Sequence, residues 1–208
     1  SAPQTVYISG KQQDVVQLYF GNSPKGSLLV KKIDSATHAP LSDVEFFVTT
    51  ADGTVVGDAN GKFVTDSAGS FTVSGINPGT TLVVKETRTK SGYVLDDTPQ
   101  TATIKAGQTV TLEFRNAPKG SLIIVKKDAV TGKALKGVTF TVTTSNGQFV
   151  ADAEGQISSN GLYYTDENGK IILSGLAPDT YVVTETATIP GYVLDSTPQT
   201  VVVNANDT

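Results

Sequence analysis

The chain has 208 residues, 38% of them hydrophobic, with 16 basic and 20 acidic side chains, a single His and no Cys, Met or Trp. A net charge of −4 gives no strong pull on nucleic acid or acidic membranes, and apolar runs of three or four residues fall far short of the roughly 20 that a membrane-spanning helix needs. Without cysteine there are no disulfides, thiolate zinc sites or cysteine nucleophiles, and His38 alone supports neither a histidine metal cluster nor a Ser-His-Asp site. The expectation is a chain that is not an enzyme and holds no metal or cofactor.

Residues 1–24 carry Ala2-Pro3-Gln4-Thr5 and the alternating Val16, Leu18, Phe20, Asn22, patterns that both return later. They read as terminal strands of a preceding repeat. No basic start followed by an apolar stretch, and hence no signal peptide, is visible there. Lys25-Gly26-Ser27-Leu28-Leu29-Val30 then opens a unit spanning 25–118, and recurs as Lys119-Gly120-Ser121-Leu122-Ile123-Ile124, a spacing of 94 (119 − 25). Gly92-Tyr93-Val94-Leu95-Asp96 recurs as Gly191-Tyr192-Val193-Leu194-Asp195, a spacing of 99 (191 − 92). The difference falls in the turn-rich segment around Asp152–Tyr163. A second unit, 119–208, follows the short link Ala117-Pro118-Lys119-Gly120 and stops before its last strand, as in a segment cut from a longer array. A link this short and stiffened by proline favours an extended stalk.

Within each unit, short stretches rich in Val, Ile, Thr, Tyr and Phe alternate with the turn signals Asp52-Gly53, Asn60-Gly61, Asn146-Gly147 and Asn168-Gly169. No window carries a sustained helical period. The predicted class is all-β, a sandwich or barrel in tandem.

Alternation places three polar residues on apolar faces, because every second side chain of a strand shares a face. Lys32 continues Leu28 and Val30, as Lys126 continues Leu122 and Ile124; Lys31 is the weaker candidate, since its counterpart is Val125. Glu86 continues Leu82 and Val84, as Glu185 continues Tyr181 and Val183. Asn116 continues Val110, Leu112 and Phe114, as Asn22 continues Val16, Leu18 and Phe20. A buried unpaired charge costs several kcal/mol, so these residues need partners or a chemical role.

Lys32-Ile33-Asp34 with Pro40-Leu41, then Val84-Lys85-Glu86-Thr87 leading to Gly92-Tyr93, then Phe114-Arg115-Asn116-Ala117-Pro118 resembles the B-type repeat of collagen adhesins (CnaB-like). These are prealbumin-like domains of Gram-positive surface adhesins and sortase-assembled pilins. The second unit answers with Lys126-Lys127-Asp128, Thr131-Gly132, Glu185 and Pro190-Gly191-Tyr192. The resemblance implies tandem β-sandwiches of reversed-immunoglobulin topology and an extracellular, cell-wall-anchored location, although no Leu-Pro-x-Thr-Gly motif is present. It further implies a Lys32–Asn116 isopeptide bond, with Glu86 as proton relay and Glu185 as its equivalent. Burial disfavours a charged amine and a charged carboxylate alike, so a neutral Lys32 could attack an Asn116 carboxamide polarised by the acid form of Glu86. The plainer alternative is a Lys32–Glu86 salt bridge with Asn116 capping a turn.

Lys126 and Asn22 are left as unpaired crosslink candidates. Asn204 and Asn206 align with Lys105 and Gly107 and are not acceptors. Partners are therefore neighbouring repeats of the same chain and, through residues 13–22, a strand exchanged between molecules. A pairing of Asn22 with Lys32, ten positions apart (32 − 22), suits a hairpin better than parallel terminal strands. The expected function is a structural stalk segment of a surface adhesin or pilus-like protein. The alternative is a module that binds a host protein or glycan through its loops, with Tyr163, Tyr164 and Tyr181 as a candidate patch. Asp58, Asn60, Asp152, Glu154, Asp166 and Asn168 lack the full calcium-loop pattern and read as turns, as does His38.

Overall fold

In the first unit, alternating residues put Leu28 and Val30 on one sheet and Phe46, Val48, Leu82 and Val84 on another, and all six are fully buried. The computed structural model describes residues 3–10, 15–57, 60–150 and 161–208. Seven strands build this unit: β1 (Gly26–Asp34), β2 (Glu45–Thr50), β3 (Lys62–Val64), β4 (Ser70–Ile76), β5 (Thr81–Arg88), β6 (Gln100–Thr103) and β7 (Thr109–Asn116). They form a three-stranded sheet, β4-β1-β7, and a four-stranded sheet, β3-β2-β5-β6. Phe46 anchors the core between them, with its ring centroid 4.9 Å from that of Phe114 and 5.5 Å from that of Phe71.

Strands β1 and β7 run parallel, from Ser27↔Thr109 to Asp34↔Asn116. Pairing of β1 with β4 ends at Lys31↔Ser70; beyond it residues 32–34 pair with β7 on one side and meet the Pro40 segment on the other through an Ile33↔Pro40 bridge. The first and last strands of the unit thus lie side by side.

The second unit has β8 (Gly120–Val125), β9 (Thr139–Thr144), β10 (Leu162–Tyr164), β11 (Lys170–Leu176), β12 (Asp179–Ala187) and β13 (Gln199–Val203). Its four-stranded sheet, β10-β9-β12-β13, matches that of the first unit, but its other sheet has only β11 and β8. Strand β8 stops at Val125, one residue before Lys126. This is where a strand loses regularity when no parallel neighbour carries it further. A separate core gathers around Val138, Val142, Leu173, Leu176 and Tyr181.

Residues 15–22, which read as a strand, form none. Val16, Leu18 and Phe20 are 49%, 46% and 66% exposed. An extended segment is stable only when another strand satisfies its backbone groups, and this one has no such neighbour among the described residues. No helix among the described residues is long and apolar enough to cross a membrane.

Candidate crosslinking site

The first unit brings together the three polar residues singled out by alternation. Lys32 and Glu86 are fully buried and Asn116 is 1% exposed, whereas Lys31 faces solvent. Lys32 comes from β1, Glu86 from β5 on the opposite sheet, and Asn116 from the end of β7. Lys32 Nζ lies 2.9 Å from Glu86 Oε2, an ion-pair contact outside hydrogen-bond alignment, so both atoms lack an aligned partner. Asn116 Nδ2 donates to Glu86 Oε1 at 2.6 Å and to Thr89 Oγ1 at 2.5 Å. Asn116 Oδ1 is buried with no hydrogen-bond partner.

Burial lowers the pKa of Lys32 against the opposing attraction of the Glu86 carboxyl and the charge of Asp96. The carboxamide turns its NH2, and not its carbonyl, toward Glu86.

The backbone around the lysine is clamped. Lys32 N–H donates to Gly69 O at 2.7 Å, and Leu41 N–H donates to Lys32 O at 2.9 Å. Just beyond, Asp34 Oδ1 accepts from the N–H groups of Ala36 and Thr37, and Oδ2 accepts from the Tyr93 hydroxyl at 2.9 Å. Burial would raise the Asp34 pKa, but these donors outweigh it and hold the carboxyl below its usual value.

Thr89 and the Asp34–Tyr93 pair were assigned no role from sequence. The signal was present in the duplication: Glu86 and Thr89 recur as Glu185 and Thr188, both displaced by 99, and Tyr192 donates to Asp128 Oδ2 at 2.9 Å.

The second unit has half of the constellation. Lys126 Nζ donates to Glu185 Oε2 at 2.6 Å, with Lys126 24% exposed and Glu185 5%. Glu185 Oε1 and Thr188 Oγ1 are buried without hydrogen-bond partners. Asn22 lies in the exposed segment, away from either lysine's hydrogen bonds and ion pairs. Asn206 sits in a turn at φ 63°, as Gly107 does at φ 65°, and Asn204 is exposed.

The remaining candidates separate. His38 and Asn60 occupy turns at φ 62° and 52°. Asp166 Oδ1 accepts from the N–H groups of Asn168 and Lys170 and so closes a turn. Asp58, Asp152 and Glu154 lie outside the described residues, and among the described residues no group of three or more His, Asp or Glu could hold a metal. Tyr181 belongs to the core, with its hydroxyl donating to Ala177 O at 2.6 Å, so the three tyrosines do not form one surface patch.

Two successive sandwiches of this strand order define an all-β, prealbumin-like architecture. The profile of the SpaA prealbumin-like fold domain family matches residues 26–118 and again 120–208, and the chain belongs to that family. Among solved structures, a streptococcal ancillary pilin is 19% identical over 95% of this chain and 66% of its own, with a TM-score of 0.52. The Bacillus anthracis TIE protein is 26% identical over 89% of this chain, with a TM-score of 0.43, and this chain spans 32% of its length. The shaft pilin SpaA of Lactobacillus rhamnosus GG is 19% identical over 89% of this chain and 95% of its own, at a TM-score of 0.42. No curated protein sequence matches the chain.

Proposed function

We propose that the chain is a structural repeat segment of a bacterial cell-surface adhesin or pilus-like protein, and that its first unit, residues 25–118, closes itself with a Lys32–Asn116 isopeptide bond. Residues 1–24 belong to a preceding repeat in this frame, and 119–208 form a second repeat without its last strand. The surface role is supported by the family membership and by the fold shared with an ancillary pilin.

One observation carries the chemistry: an amine, a carboxyl and a carboxamide meet in a site closed to solvent, with the amine nitrogen and the carboxamide oxygen both lacking aligned hydrogen-bond partners. Proton transfer from Lys32 to Glu86 leaves a neutral amine and a neutral acid. Rotation of the carboxamide then turns its oxygen toward the Glu86 and Thr89 hydroxyls, which stabilise the charge developing on it. The Nζ–Cγ bond forms, the Cγ–Nδ2 bond breaks, and ammonia leaves with a proton that Glu86 relays. The fold holds the reactants at contact, where effective molarities can reach about 10⁵–10⁸ M. Each unit reacts once, so no external substrate is turned over.

Intact mass of the denatured chain is the test. The first unit should be lighter by one ammonia, and Lys32→Ala, Glu86→Ala or Asn116→Ala should each restore the unmodified mass. A wild-type chain of unmodified mass would overturn the reading.

A further inference from the structure

Within the first unit, the acceptor of the proposed crosslink sits where a strand is held least. Asn116 is the last residue of β7, and β7 lies at the edge of its sheet with β1 as its one strand neighbour. Such strand ends open most readily, because few contacts hold them. Yet the reaction needs the Asn116 carboxamide fixed against Lys32 Nζ, and a displacement of about 1 Å can slow a step of this kind by about 10²-fold.

Three hydrogen bonds close a ring around this strand end. Ser35 N–H donates to Asn116 O, Val94 N–H donates to Ala117 O, and the Tyr93 hydroxyl donates to Asp34 Oδ2, each at 2.9 Å. Asp34 precedes Ser35, Asn116 precedes Ala117 and Tyr93 precedes Val94, so chain and hydrogen bonds together return to their starting point. Asp34 is buried, and its Oδ1 accepts from the Ala36 and Thr37 N–H groups, which fixes the turn that aims the Ser35 N–H. On the other side, Lys119 N–H donates to Gly92 O at 2.8 Å, so the Gly92–Val94 stretch grips the chain before and after Pro118. The connection that supplies this grip also carries Thr89, which binds the Asn116 carboxamide.

From this geometry we infer that Tyr93 and Asp34 are positioning residues for the crosslink: their hydrogen bond locks the ring and holds the Asn116 backbone where its carboxamide meets Lys32 and Glu86. Neither side chain hydrogen-bonds to the amine, the carboxyl or the carboxamide, so both act through the backbone. Removing the Tyr93 hydroxyl opens the ring and leaves a buried carboxylate oxygen without its donor. The tie is a property of the repeat, since Tyr192 donates to Asp128 Oδ2 at the same 2.9 Å. The inference rests on the crosslinking chemistry proposed for the first unit.

Full-length chains recovered unreacted in guanidinium and diluted into native buffer give two clocks in one sample. Far-UV circular dichroism reads folding, and intact mass reads the loss of ammonia. Tyr93→Phe should fold and then lose ammonia about 10–10²-fold more slowly than the wild type. The pH profile of that step should keep its shape, because Lys32 and Glu86 still carry the proton. Asp34→Ala should slow the step likewise, and the double variant should be no slower than Asp34→Ala, since both changes break one ring. Asp34→Asn, whose Oδ1 still accepts and whose NH2 can donate to the Tyr93 oxygen, should recover most of the lost rate; with Tyr93→Phe it carries the test if Asp34→Ala does not fold. Val73→Ala opens a cavity beside Leu28, toward the other end of β1, and should react at the wild-type rate once folded, which separates positioning from lost stability. Wild-type rates in folded Tyr93→Phe, an equal slowing in Val73→Ala, or an altered pH profile would each overturn the inference while leaving the crosslink in place. A wild-type chain that folds and keeps its full mass would remove the crosslink reading itself, and the inference with it.

Discussion

Asn116 is held by two acceptors, and Thr89 is the one that the lysine does not contact. In the proposed reaction the Thr89 hydroxyl turns from acceptor to donor at the carbonyl oxygen. Loss of one such donor typically slows an acyl transfer by about 10²–10³-fold. Thr89→Val should therefore leave a fraction of chains with unmodified mass that converts slowly, and Thr89→Ser should restore full conversion. Lys32 gives a second prediction at this scale. Its folded pKa lies below the unfolded value of 10.5 because of burial, so the unfolded chain binds more protons between the two values, and stability rises with pH across that window. In the uncrosslinked Asn116→Ala variant, resistance to guanidinium should increase as pH climbs toward 10.5. Adding Lys32→Met should remove that increase.

Strands place these side chains, and turns hold the strands. Gly69, at φ 67°, lies against the lysine strand: a Cβ there would sit 2.6 Å from Lys32 O and 2.8 Å from Leu41 N. Gly169 repeats this against Lys126 O at 2.4 Å. Both contacts are with backbone that has no room to give, and left-handed geometry adds about 1–3 kcal/mol for a non-glycine residue. Gly69→Ala should lower the stability of the first unit by at least that amount and displace Lys32, with a raised unreacted fraction as the readout. The Asp128–Tyr192 tie works similarly at the end of β8. The Asp128 carboxyl is held at about 2 by the Thr131 N–H, the Tyr192 hydroxyl and the Val130 N–H. Its contribution is complete above the unfolded value of 3.8 and is lost as pH falls through about 2. Tyr192→Phe should raise the Asp128 midpoint in an NMR titration.

Across the whole molecule, the proposed bond joins residues 32 and 116 and encloses nearly the entire first unit. Treated as a crosslink that restricts the unfolded chain, a loop of this length contributes about 4–5 kcal/mol. For a domain of this size that corresponds to roughly 20–30 °C in Tm. Asn116→Ala should therefore show a thermal transition lower by an amount of that order, measured by calorimetry. Because β1 and β7 are parallel neighbours at opposite ends of the unit, force applied at both ends would meet the amide before the sheet could unzip.

Much of the architecture was legible in the chain itself. Period-two alternation marked Lys32, Glu86 and Asn116 as inward-facing, duplication marked the two units, and Asn60-Gly61 and Asn168-Gly169 marked turns. These are local properties, set by strand geometry and by backbone sterics. Other features were decided only by the tertiary structure. Residues 15–22 have the pattern of β7 but form no strand, because a strand exists only when a neighbour pairs with it. Thr89 became visible as a partner of Asn116 only when β5 was placed against β7, and the orphaned oxygens of Glu185 and Thr188 only when the second unit was folded without a strand beside β8. Hydrogen-bond satisfaction depends on which distant segments share a buried space, and no local pattern carries that information.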